Sequence, residues 1–148
     1  MAKIVCNNVE LEIIPIGHYY RSDGSDTNEF YYAISLYEDK KRQSYPLGIN
    51  NGLIDVFEIE TMDYMISQSC FDALYNHKVS YADDICNGGF DMSFSPIDDK
   101  WKIEIELNPY YLEHENGIEY SFELSKDEFF LFSKTLRLEE IKVIVSRG

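Results

Sequence analysis

Asp23, Ser25, Asp26 and Glu29 stand close together in "RSDGSDTNEF", residues 21–30. Oxygen ligands so spaced are the raw material of a hard-cation site. The twelve-residue calcium loop does not fit. Counted from Asp23, its glycine position falls on Asn28 and its final glutamate position on Ile34. Ser, Asp, Asn and Gly also favour turns, so the expectation is a solvated connection between strands. A cation site of another geometry is the alternative. His114 offers a second candidate chemistry. It lies between Glu113 and Glu115 in "LEHEN", where carboxylates raise the basicity of an imidazole and suit it to general acid work. A surface histidine in an acidic loop is the plainer reading of the same residues. His18 and His77 complete the set. None of the three sits in a pattern that gathers metal ligands, and neither a metal nor a cofactor is expected. Cys86 has Asp83 and Asp84 nearby, and acids disfavour a reactive thiolate. Cys6, Cys70 and Cys86 form no CxxC pair and read as free thiols. No nucleophile elbow, phosphate loop or dinucleotide fingerprint occurs. With 27 acids in the chain, two carboxylates at glycosidase spacing would arise by chance.

The acids are therefore more informative as a field than as a catalytic pair. The net charge is −14, and it is uneven. Residues 1–50 carry 5 bases and 7 acids, residues 51–100 carry 2 and 10, and residues 101–148 carry 6 and 10. A field of this sign repels nucleic acid and anionic membrane, and it attracts a basic protein. An acidic surface also serves solubility alone, which is the plain alternative. The most acidic third supplies the candidate contact residues Asp55, Glu58, Glu60, Asp63, Asp72, Asp83 and Asp84. Tyr110 and Tyr111, beside Pro109, are the candidate aromatic anchors, because tyrosine offers a large area with a polar tip.

The elements that must position these residues follow from periodicity. At 148 residues and 45% hydrophobic, the chain is long and apolar enough for one folded domain over 1–148. It has no run that would cross a bilayer as a helix and no signal-peptide pattern at its start, so a cytoplasmic location is expected. Val9, Leu11 and Ile13 alternate after an Asn7-Asn8 turn, and Pro15 marks a bend or an edge. Phe30, Tyr32, Ile34 and Leu36 share one strand face. Strand "LIDVFEIE" follows a turn at Asn50-Asn51-Gly52. From Thr61 the period changes, and Met62, Met65, Ile66, Cys70, Ala73 and Leu74 predict a helix over about 61–77, with Thr61 as N-cap and Asp63 in the first turn. His77 suits the end of that helix. "VSYADDICNGG" reads as a loop. Phe90, Met92 and Phe94, then Trp101, Ile103, Ile105 and Leu107, then Ile118, Tyr120, Phe122 and Leu124 alternate as strands. "SKDE" at 125–128 is a capping box for a helix to about 138, and "IKVIVSRG" reads as a short terminal strand. Short turns between successive strands favour antiparallel pairing. The fold class expected is α+β: a curved antiparallel sheet or open sandwich of about seven strands, with two helices packed on it.

The second half, from a helix through "FDMSFSPIDDKWKIEIEL" to "IEYSFELSKDEFFLFSKTLRLEEI", resembles bacterial polymorphic-toxin immunity proteins, similar to the WapI-type group. The likeness spans roughly residues 60–140 and is one of element pattern. It implies a non-catalytic protein that neutralises a basic toxin by covering its active site. An acidic inhibitor of a host defence nuclease, phage- or plasmid-encoded and acting as a nucleic-acid mimic, shares the same physics. A small enzyme built on His114 and its neighbouring carboxylates is the third possibility, and an assembly subunit the fourth.

Overall fold

In a computed structural model, residues 2–20, 28–42, 45–46, 53–54, 57–61, 65–83, 90–107 and 118–147 are described. The strands are β1 (Ala2–Cys6), β2 (Val9–Tyr20), β3 (Asn28–Glu38), β4 (Lys41–Arg42), β5 (Tyr45–Pro46), β6 (Leu53–Ile54), β7 (Phe57–Thr61), β8 (Ser80–Asp83), β9 (Phe90–Ile97), β10 (Lys100–Leu107) and β11 (Ile118–Ser125). The helices are α1 (Ile66–Asn76) and α2 (Lys126–Arg147). Among the described residues, seven strands are five residues or longer, and every pairing is antiparallel. The α+β expectation holds.

The strands form two principal sheets. In the first, the order is β1-β2-β3-β4, with β7 also paired to β3. In the second it is β11-β10-β9-β8. Each sheet is followed in the chain by one helix. The Asn7-Asn8 turn obeys its sequence signal: Asn7, like Asp39 and Asp98 in two other turns, takes positive φ, the region in which Asn and Asp are enriched among non-glycine residues, and Lys40 shares it beside Asp39. Pro15 lies past the end of the β1–β2 ladder, which stops at Ile13, so its missing N–H breaks no described bond to β1. The register with β3 shifts between Pro15 and Gly17, as the bend required.

Both sheets turn their apolar faces to one core. Ile4, Leu11, Ile13, Tyr32, Ile34 and Leu36 come from the first, and Met92, Phe94, Trp101, Ile103 and Phe122 from the second. The helices fill the space with Ile66, Cys70 and Ala73 from α1 and Phe129, Phe132 and Leu136 from α2. Phe129 stacks on Phe94 at 5.6 Å between centroids and lies against Trp101 at 5.0 Å. Tyr120 of β11 donates to a Glu38 oxygen of β3 at 3.4 Å, a link between the sheets. Burial beside that carboxylate pushes its phenol upward.

Three expectations change. The first helix begins at Ile66, because Thr61 continues β7 and pairs with Phe30. Its N-cap position is Met65, which supplies no side-chain cap. Asp63 lies outside the described residues. Part of the expected loop "VSYADDICNGG" is strand β8, anchored where Ser69 donates to the Tyr81 carbonyl at 2.7 Å and Ala82 enters the core. The second helix does not stop near 138. It runs to Arg147, because Leu136, Glu140 and Ile144 recur every four residues on its packed face. The β-branched residues near the end imitate a strand, but their period is helical. The capping box forms as read: Glu128 N–H donates to Ser125 Oγ at 3.1 Å, and Ser125 N–H donates to Glu128 Oε1 at 3.0 Å. The Ser125 N–H and the Ser125 hydroxyl hold the Glu128 carboxyl below its ordinary range.

Candidate functional site: the outer face of the second sheet

Strand alternation sends every second residue of the second sheet away from the helices. The helices cover the Phe94–Trp101–Ile103 side. On the opposite side Asp91, Glu104, Glu106, Glu119 and Glu123 are all exposed, with Tyr81 62% exposed. Register then decides what this face is. Asp83 pairs with Asp91, Asp91 with Glu106, and Glu106 with Glu119. One row across all four strands is thus acidic at every position. The next row reads Tyr81, Ser93, Glu104 and Ser121. Lys102 and, at the end of β10, Lys100 are the bases on this face among the described residues, and the Lys102 ammonium lies 3.3 Å from Glu104.

Residues directly opposite on neighbouring strands have Cβ atoms about 5 Å apart. Like charges there oppose folding, on the scale of the roughly 0.2–1 kcal/mol that favourable cross-strand pairs contribute. Glu106 and Glu119, exposed and directly opposite each other, are such a pair. Tyr81, Asp91, Ser93, Glu104, Glu106 and Glu119 line a shallow depression of about 310 Å³ over this face. Small Ser93 and Ser121 leave the depression open between the acids. Chemically the face offers closely spaced carboxylate acceptors, an exposed phenol and serine hydroxyls. That inventory suits guanidinium and ammonium groups.

The residues singled out in the sequence are divided among elements. Glu58 and Glu60 occupy β7, at register positions opposite Ala33 and Tyr31 in the first sheet. Asp72 is exposed on α1, where it accepts from Gln68 Nε2 at 2.9 Å. Asp83 alone joins the acidic row, at the end of β8. Asp55, Asp84, Tyr110 and Tyr111 lie outside the described residues, as do Asp23, Ser25, Asp26, Cys86 and His114. Glu29 is described: it sits in the β2–β3 ladder opposite Tyr19, so residues 21–27 join two directly paired strands. His77 takes the left-handed C-cap of α1, and its ring meets Trp101 edge-on at 5.8 Å. Strand alternation puts Glu104 and Glu106 on one face, but it does not align them with Asp91 and Glu119. The visible signal was at least one acid among the outward positions of each of three successive strands.

No family model and no curated protein matches the chain. Among solved structures, the "plant transcriptional regulator PBF-2" is similar, with a TM-score of 0.50 over 98% of this chain and 82% of that one. The identity is 10%, so the likeness is one of fold.

Among the described residues, no group of three or more His, Cys, Asp or Glu side chains is placed to hold a metal ion. No described helix is long and apolar enough to cross a membrane. Cys70 is fully buried, and burial drives its thiol far above the ordinary range.

Proposed function

We propose that the protein is an acidic, non-catalytic binding protein that captures a basic protein partner on the outer face of its second sheet. The observation that carries this is the row Asp83–Asp91–Glu106–Glu119, aligned by strand register. A sheet gains nothing for its own stability from exposed acids placed directly opposite each other, as Glu106 and Glu119 are. A partner presenting Lys or Arg would relieve that repulsion on docking, and the field of a −14 chain would speed the encounter. Within this class, the immunity-protein resemblance supports a toxin as the partner, with occlusion of its basic active site as the mechanism. Inhibition of a defence nuclease by the same face is the second form of the reading.

The fold neighbour is described as a transcriptional regulator. The charge of this sheet face opposes a direct phosphate contact there, so a nucleic-acid role is not carried over. A cytoplasmic site of action follows from the same proposal.

The test uses tagged protein to retrieve its partner from source cells, at low and then high salt. The expected result is one stoichiometric basic protein whose activity is inhibited by the chain. Triple substitution of Glu104, Glu106 and Glu119 to Gln should lose that protein and flatten the salt dependence of what remains. Unchanged retrieval by the triple variant would remove this face as the interface.

A further inference from the structure

Helix α1 has little local support. It is 11 residues long, and isolated helices below about 12–15 residues are marginal in water. Its N-cap position is Met65, which offers no side-chain bond; its first turn holds no acid and its last turn no base. Its C-cap, His77, takes the left-handed region at φ 52°, where glycine is the usual residue. Helix α2 is the opposite case, with 22 residues, two acids in its first turn and the Ser125–Glu128 capping box.

What holds the start of α1 comes from one buried point. Glu140 of α2 is buried, and its Oε2 accepts from the Tyr32 hydroxyl and from Ser67 N–H, the second amide of α1. Tyr32 in turn accepts from Ile66 N–H, the first. The other oxygen, Oε1, has no hydrogen-bond partner. Three ionisable groups face this carboxyl: Tyr32 from β3, Cys70 from α1 and Arg137 from its own helix. Cys70 is neutral, and Arg137 directs its guanidinium to Ser67 Oγ and the Gln68 side chain. β1, β2 and β11, which also pack on α2, bring apolar residues such as Ile4, Ile13 and Phe122. Among the described residues no base forms an ion pair with Glu140. A charge in that setting is stable only where water can reach it.

We infer that α1 is a proton-released clasp: it opens as a unit when Glu140 ionises, while α2 and the two sheets stay folded. Water reaches Glu140 most easily by way of α1, because α2 is locally capped and Tyr32 sits within the β2–β3 and β3–β7 ladders. Burial raises the Glu140 carboxyl above its ordinary value, so the closed form keeps the proton and opening grows as pH rises. The clasp also governs β8, whose Tyr81 carbonyl is held by Ser69 of α1. β8 brings Tyr81 to the acidic face, so the proton on Glu140 controls one edge of that face.

Residue-resolved hydrogen exchange of the full chain over about pH 4–8 tests the clasp, with each rate divided by its intrinsic value at that pH. Protection of the α1 amides should fall by up to about tenfold per pH unit once Glu140 ionises, the slope of one released proton, and β8 should follow it. Phe132 and Leu136 of α2 and Ile103 and Ile105 of β10 should keep their protection. Glu140→Gln should make α1 protection independent of pH. A wild-type α1 whose protection does not change relative to α2 overturns the clasp, as does an equal loss in all elements, which is global unfolding. A Glu140→Gln chain that still loses α1 protection overturns Glu140 as the trigger. The wild-type series decides the clasp alone if that variant does not fold.

Discussion

The Tyr32 hydroxyl donates to Glu140 Oε2 at 2.5 Å, joining two side chains 108 residues apart in a fully buried contact. Around it the first turn of α1 is capped by groups from elsewhere in the chain. Ile66 N–H donates to the Tyr32 hydroxyl at 3.1 Å, and Ser67 N–H donates to Glu140 Oε2 at 3.3 Å. One turn earlier on α2, Arg137 Nε donates to Ser67 Oγ at 2.6 Å, and its guanidinium sits 5.0 Å from the Phe71 ring centre. These contacts do the work that a local N-cap does in most helices. Tyr32→Phe removes one bond from a buried carboxylate and one from a backbone N–H. The expected loss is about 2–3 kcal/mol, measured by urea unfolding. A loss below half a kcal/mol would show that water or a rearranged side chain replaces the hydroxyl.

Glu140 makes stability depend on pH. Burial outweighs its bonds to Ser67 and Tyr32 and raises its carboxyl above the ordinary value of 4.5. Its Oε1 has no hydrogen-bond partner. A raised folded-state pKa means that the folded chain holds the proton more tightly. The stabilisation is complete below about pH 4.5, and it is lost as pH rises through the folded value. Glu140→Gln keeps an acceptor for Tyr32 and carries no charge. Its stability relative to wild type should climb from pH 4.5 upward and then level off. Parallel curves across pH 4–8 would show that Glu140 titrates alike in both states.

The capping box has the opposite sign. The Glu128 carboxyl is lowered by the Ser125 backbone and hydroxyl. Its contribution is present above the unfolded value, near 4.5, and disappears as pH falls through the folded one. Ser125→Ala should cost about 1 kcal/mol at neutral pH. Glu128→Gln should show its deficit at pH 7 and converge with wild type in acid. A deficit that persists unchanged at pH 3 would assign it to packing.

The acidic row predicts a conflict between stability and binding. Glu106 faces Asp91 on one side and Glu119 on the other. Glu106→Gln should raise the unfolding midpoint at low salt, by a few tenths of a kcal/mol per relieved pair, and the gain should shrink as salt screens the row. The same variant should bind the basic partner more weakly. A variant that is less stable at every salt concentration would mean that the row is not a repulsive arrangement.

Much of the fold follows from short-range pattern. Alternation in Trp101–Leu107 and Ile118–Leu124 fixes which side chains enter the core, because a strand has period two and one face is buried. The Ser125–Glu128 box sets the start of α2, since both partners lie within one turn. The Asn7-Asn8 and Asp98-Asp99 turns are equally local. These elements carry their own instructions in adjacent residues.

The start of α1, the reach of α2 and the acidic row were decided only in three dimensions. Met65 is a poor cap by sequence, and α1 starts there because Tyr32 and Glu140 reach its first amides from β3 and α2. A glutamate at a core-facing position reads as the end of an apolar stripe until its bonds to Tyr32 and Ser67 are known. Likewise, the acids of the second sheet stand at separated points in the chain. Only the registers of β8 with β9, β9 with β10 and β10 with β11 bring them into one line. Composition determined that this protein would be strongly acidic. Strand register decided where that charge is concentrated, because cross-strand distance, unlike sequence distance, sets how strongly two carboxylates interact.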